Sequence, residues 1–243
     1  MADSFLKGGI ISERLRINHN MRKTYVIGDI HGCHRTLVEL LEKIDPDPDN
    51  DFLIFLGDYI DRGPDSNPVV EEIIKLRGRF KRLVTLMGNH DQVFLRYLSR
   101  KDKDFFISIG GEQTLKSYGV DPGFTGDPLS VIPDEHVFFF NDLLNYWEDD
   151  KYIYVHAGLK PGVHITQQST EWLFWARERF IDLKYDFGKR VIYGHTPFET
   201  PKIDKNKIGI DTGAVYGNHL TCLILPEMKF VSVKKVDRLK VEG

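Results

Sequence analysis

Short apolar runs recur along the chain, and five of them stop at a residue able to bind a metal ion. Three come early: Tyr25-Val-Ile-Gly-Asp29-Ile-His31, Phe52-Leu-Ile-Phe-Leu-Gly-Asp58-Tyr-Ile-Asp61-Arg62 and Arg82-Leu-Val-Thr-Leu-Met-Gly-Asn89-His90-Asp91. Two come late: Tyr152-Ile-Tyr-Val-His156 and Val191-Ile-Tyr-Gly-His195. Runs of this length and composition read as strands. Asp29, Asp58 and Asn89 are spaced about 30 residues apart. The intervening stretches Thr36–Ile44 and Pro68–Leu76 carry apolar residues at helical spacing, with Pro68 tolerated in a first turn. Strand–helix–strand units of that length predict parallel strands joined by crossover helices.

The rhythm breaks between Arg100 and Phe140. This region holds Gly110-Gly111, a predicted helix over Glu112–Tyr118, a Gly/Pro/Asp loop and a helix starting near Pro133. Insertions between ligand-bearing strands commonly shape a substrate entrance. Asn145–Val155 reads as a hairpin turning at Asp149-Asp150, and strands follow near Val191, Lys207, Thr221 and Lys229. Residues 1–20 are weakly patterned and are set apart as an N-terminal extension. Residues 21–243 are expected to form one catalytic domain, because no linker or repeat divides them and the ligand residues run from Asp29 to His195.

The formal net charge of -3 leaves no global basic footprint, so neither nucleic acid nor an anionic membrane is an expected partner. Any affinity for phosphate must be local. The apolar runs are too short to span a bilayer, the N-terminus lacks an apolar signal core, and Ala2 excludes N-myristoylation. Cys33 and Cys222 are the only cysteines, too few for a disulfide framework, and a cytoplasmic location is expected.

Oxygen and imidazole donors at strand ends, with no thiolate among them, suit a pair of divalent ions such as Mn, Fe or Zn. Such a pair is a standard device for cleaving phosphate esters. The blocks Gly28-Asp-Ile-His-Gly32, Gly57-Asp-Tyr-Ile-Asp-Arg-Gly63, Gly88-Asn-His-Asp91, His156-Ala-Gly158 and Gly194-His-Thr196 resemble, in order, the signatures of the phosphoprotein phosphatases among the calcineurin-like metallophosphoesterases. The resemblance spans roughly Thr24 to Val233. It implies an α/β fold, an αββα sandwich of two mixed sheets flanked by helices. It also implies a metal set of Asp29, His31, Asp58, Asn89, His156 and His195, with Asp58 bridging two ions, Mn being the first choice. By the same resemblance His90 is the acid that protonates the leaving group, Asp61 orients it, and Arg62, Arg177, Asn89 and Tyr216 bind phosphate.

Blander roles are expected elsewhere. His19, His34, His136, His164 and His219 are read as structural, and Asp91 as a helix N-cap. Trp172, Phe174, Trp175 and Phe138–Phe140 are read as packing, and Cys33 as a small wall residue. Arg179 competes with Arg177 for the phosphate role, and either could simply pair with glutamate on a helix face. Met87 and Asp91 depart from the basic residue and glutamate usual in eukaryotic members. That departure favours a bacterial-type enzyme without a regulatory subunit. The leading expectation is a serine/threonine protein phosphatase resembling the bacterial and lambda-phage enzymes, acting on phosphoprotein or small phosphoesters. The alternative is a symmetrical diadenosine tetraphosphatase or other nucleotide phosphohydrolase. A non-catalytic phosphate-binding scaffold is disfavoured, since no ligand of the set is missing.

Overall fold

The computed structural model describes residues 22–236; His19 and the expected N-terminal extension over residues 1–20 lie outside them. Five strands form the first sheet: β1 (Thr24–Ile27), β2 (Phe52–Phe55), β3 (Leu83–Thr85), β9 (His219–Leu225) and β10 (Lys229–Lys234), in the order β10-β9-β1-β2-β3. β1 pairs parallel with β2 and β2 with β3, whereas β9 runs antiparallel to both β1 and β10. The second sheet holds β4 (Tyr146–Glu148), β5 (Tyr152–Val155), β6 (Arg190–Tyr193), β7 (Lys202–Ile203) and β8 (Lys207–Gly209), in the order β4-β5-β6-β8-β7. Here β5, β6 and β8 are parallel, and β4 and β7 are antiparallel edges.

The strand runs are continuously apolar because both of their faces are buried. In β1, Val26 points between the sheets, with Ile54, Val84, Tyr154, Ile192 and Ile208, while Tyr25 and Ile27 face helices. Leu37, Leu40 and Ile44 of helix α1 (His34–Ile44) and Val70 and Ile73 of α2 (Ser66–Arg79) cover that outer face. Across the molecule Ile153, Val155, Val191 and Tyr193 pack on Leu173, Phe174 and Phe180. The expected four-layer αββα order follows from this alternation.

Several elements differ from the sequence expectation. Asn89, read only as the end of a strand, opens α3 (Asn89–Leu98). Helix α4 (Lys103–Phe106) and its continuation meet α5 (Glu112–Ser117) at a kink, because Gly110 leaves the helical conformation with φ 112°. Helix α6 (Asp134–Asn141) buries Phe139 and Phe140 but leaves Phe138 73% exposed, because three consecutive helical positions cannot share one face. Two short helices, α7 (Thr170–Trp175) and α8 (Glu178–Ile181), carry the arginine-bearing segment. Among the described residues, no helix is long and apolar enough to cross a membrane.

Candidate metal centre

All six parallel strands deliver a site residue just past their carboxyl ends, where α/β sheets gather ligands. β1 delivers Asp29 and His31, β2 Asp58, β3 Asn89, β5 His156 and β6 His195. The sixth, β8, delivers Asp211, which the sequence reading passed over although Lys207-Ile-Gly-Ile-Asp211 follows the same pattern. The turns that aim these side chains are unusual. His31 (φ 46°), Asp58 (φ 54°), Asp61 (φ 71°), Arg62 (φ 65°) and His195 (φ 65°) all adopt left-handed backbone conformations. Such residues cost on the order of 1–3 kcal/mol each and cluster where function over-determines them. Two glycines make room: a Cβ on Gly88 would fall on Asp58 Oδ1, and one on Gly194 would fall on Asp29 Oδ1.

Two groups of buried donors share Asp58. His31, Asp58 and His90 have candidate ligand atoms within 4.8 Å of one another, as do Asp58, His156 and His195. His31 Nδ1 lies 2.8 Å from the Ile60 carbonyl and His156 Nδ1 2.9 Å from that of Leu56. A carbonyl accepts only, so each Nδ1 carries the proton and each Nε2 presents a lone pair. Those lone pairs face Asp58 Oδ2 at 3.3 Å and 3.5 Å, and His156 Nε2 also faces Asn89 Oδ1 at 3.1 Å. His195 adds Nδ1 at 2.8 Å from the same Asn89 oxygen, and its Nε2 is buried without a partner. Acceptors converging on acceptors make sense around cations.

The electrostatics agree. Burial, then the neighbouring Asp211 and Asp58 carboxylates, push Asp29 well above the usual carboxylate range, while the two N–H···O contacts from His195 oppose this. Burial likewise lifts Asp211 to about 6. For Asp58 burial is outweighed by His156, His90 and His31, which hold it well below the usual range. Burial lowers His156, and burial together with His156 lowers His195 to about 2. Asp58 is thus common to two donor groups that could each hold a divalent ion, one with His31 and the other with His156 and His195.

His90 is held differently. Its Nδ1 lies 2.7 Å from Asp61 Oδ2, and Asp61 is fully buried. Thr114 Oγ1 donates to Asp61 Oδ1 at 2.6 Å and accepts from the Asp61 amide at 2.9 Å; Ser66 Oγ joins the pair at 3.0 Å from Thr114 Oγ1. Sequence reasoning missed Ser66 and Thr114, since Thr114 meets Asp61 only because α5 packs against α2. Asp91 also differs from expectation. It is the third residue of α3 and not its N-cap, and its carboxylate accepts from the amides of Gly88, Asp58 and Tyr59 at 2.8, 2.8 and 3.2 Å. It thereby fixes the Asp58 turn and the helix start together.

Arg62 Nη1 donates to His31 Nε2 at 2.8 Å, and its guanidinium lies 5.6 Å from the Tyr216 ring centroid. Arg177 is exposed at the start of α8, near enough for its charge to oppose protonation of His195. Arg179 instead bonds Glu171 at 2.6 Å and sits 4.3 Å from the Trp172 ring, the surface role weighed for either arginine. Trp172 and Trp175 are half-buried, unlike Phe174, and Trp175 stands edge-on to His195 at 6.4 Å. His136 bridges Tyr118 and Glu71, His34 lies 3.8 Å from Glu72, and His164 and His219 bond Thr166 and Asn218. Cys33 is a buried wall residue beside His31.

An αββα sandwich with acidic and imidazole groups converging at its strand ends defines a metal-dependent phosphoesterase. The chain belongs to the calcineurin-like phosphoesterases, whose family pattern matches residues 22–219. It is 28% identical over 232 residues to the asymmetrical bis(5'-nucleosyl)-tetraphosphatase PrpE of Bacillus thuringiensis, spanning 86% of this chain and 92% of that protein. Among solved structures, one assigned as a diadenosine tetraphosphatase superposes with a TM-score of 0.71 at 20% identity, covering 89% of this chain and 95% of that one. A Saccharomyces cerevisiae serine/threonine phosphatase superposes at 0.59 and 14% identity, covering 90% and 82%. These two likenesses speak for the fold alone.

Proposed function

We propose that the chain is a metal-dependent hydrolase of dinucleoside polyphosphates. The observation that carries this reading is the similarity to a bis(5'-nucleosyl)-tetraphosphatase along nearly the full length of both proteins. It moves the nucleotide alternative ahead of the serine/threonine phosphatase expected first. Asp29, His31, Asp58, Asn89, His156 and His195 would hold two divalent ions, which would supply a water of lowered pKa and neutralise phosphate oxygens; Mn is our first choice, with Fe or Zn also suited to the donors. Arg62 and Arg177 clamp the non-bridging oxygens from two sides, the guanidinium fork matching two of them at once. The water oxygen bonds to phosphorus and the bridging P–O bond breaks on the opposite side. His90, with Nδ1 held by Asp61, presents its Nε2 proton to the departing oxygen, and the proton from water passes to solvent.

The test is chromatography of diadenosine tetraphosphate digests with chelated protein and with Mn restored. AMP and ATP are expected if the chain cuts as its relative's name states, and two ADP if the cut is symmetrical. An intact dinucleotide in the presence of Mn would overturn the reading.

A further inference from the structure

Four aromatic side chains among the described residues are exposed, Phe105 (46%), Phe138, Tyr185 and Tyr216 (61%), and two of them, Phe105 and Tyr216, are linked to the metal centre. Each reaches a histidine of the metal centre through one intervening side chain. Phe105 lies on α4, whose next residue, Phe106, is fully buried, so the helix turns Phe105 outward. Its ring meets Trp175 at 6.0 Å with a 34° tilt, and Trp175 in turn meets His195. Trp175 is pinned by its Nε1 donating to Gln92 at 3.2 Å, so the pair forms a fixed ledge. On the other side Tyr216 closes a 3₁₀ turn (Ala214–Tyr216) between Gly213 (φ 69°) and Gly217 (φ 94°), and its ring covers Arg62, which contacts His31.

We infer that these are two nucleobase platforms, one on each flank of the phosphate site. The inference rests on the proposed function and names the residues that would select nucleotides over other phosphate carriers. A dinucleoside polyphosphate is a charged chain with a flat base at each end. Its phosphates would lie across the metals and arginines, while one base stacks on Phe105–Trp175 beside His195 and the other on Tyr216 beside Arg62. Stacking tolerates any base, because every base has a π-face. In this arrangement Tyr216 contributes to base binding more than to phosphate binding.

Calorimetric dissociation constants for AMP and ribose 5-phosphate on the Mn-loaded protein test this, since the two ligands differ only in the base. AMP should bind more tightly to the wild type. The double variant Phe105→Leu, Tyr216→Leu should lose roughly five- to a hundredfold of that preference, and the pair Phe105→Tyr, Tyr216→Phe should restore it. Equal binding of the two ligands to the wild type, or a preference that survives the leucine variant, would overturn the platforms. Digestion of diadenosine tetraphosphate separates the two ideas. Cleavage without a base preference leaves the activity standing and the platforms refuted; a base preference without cleavage does the reverse.

Discussion

Asp61→Asn is the substitution whose consequences the geometry specifies most closely. Asp61 is fully buried and uses both carboxylate oxygens, one for His90 Nδ1 at 2.7 Å and one for Thr114 Oγ1 at 2.6 Å. Asparagine keeps one of those acceptors. If its oxygen faces Thr114, its amide donates to His90 Nδ1 and keeps a proton off that nitrogen, so the doubly protonated imidazolium that serves as the acid cannot form. If its oxygen faces His90, the amide meets Thr114 Oγ1, already an acceptor for the Asp61 backbone. In the better case a charge-assisted bond becomes a neutral one, a change of about 1–1.5 kcal/mol, or roughly five- to tenfold in kcat. In the worse case the loss approaches the roughly 10²–10⁴-fold of a missing general acid. The assay is kcat on the Mn-loaded enzyme for leaving groups of graded basicity, with metal content measured in parallel. The defect should grow as the leaving group becomes more basic and be smallest for p-nitrophenolate, with metal retained. A uniform defect across leaving groups, or loss of metal, would refute the assignment of His90 as the acid. Thr114→Val should move the same way by a smaller factor, and Thr114→Ser should restore it.

Other expectations follow from single contacts. Gly194→Ala would drive a methyl group into Asp29 Oδ1, so the protein should fold but lose metal, read by elemental analysis; full metal content would contradict the packing. Arg177→Ala should leave metal bound and raise the inhibition constant of inorganic phosphate roughly ten- to a hundredfold, whereas Arg179→Ala should not; the opposite result would exchange the two arginines. Burial lowers the His136 pKa below its ordinary 6.5, with the Glu71 bond opposing. The unfolded chain therefore binds the extra proton first, so stability is full above about pH 6.5 and falls as pH drops below it. Urea melts of His136→Gln should show a shallower loss over that window, and an unchanged slope would remove His136 as a cause.

Much of the fold was legible because its strands are buried on two faces and so read as unbroken apolar runs, each closed by a polar ligand residue and most with a glycine before it. That pattern led to Asp29, Asp58, Asn89, His156 and His195, and the structure brings these together with His31, His90, Asp61 and Arg62. What stayed illegible depends on contacts distant in sequence. Asp91 looks like a helix cap by its local setting, yet its carboxylate serves amides of the Asp58 turn 33 residues away. Thr114 is an ordinary helical threonine until α5 lays it against Asp61. Asp211 was within reach, as the last of the parallel strands ends on it just as the others end on their ligands. Substrate choice was the least legible of all, because metals and arginines recognise phosphate and leave its carrier to the rim.

The most direct test of the account is a competition in one vessel. Mn-loaded enzyme is given diadenosine tetraphosphate and a phosphoserine peptide at equal concentration, below both KM values, and the ratio of initial rates reports the ratio of kcat/KM. The dinucleotide should be consumed at least about tenfold faster, the equivalent of roughly 1.4 kcal/mol of preferential transition-state binding. Dephosphorylation of the peptide while the dinucleotide stays intact would contradict it.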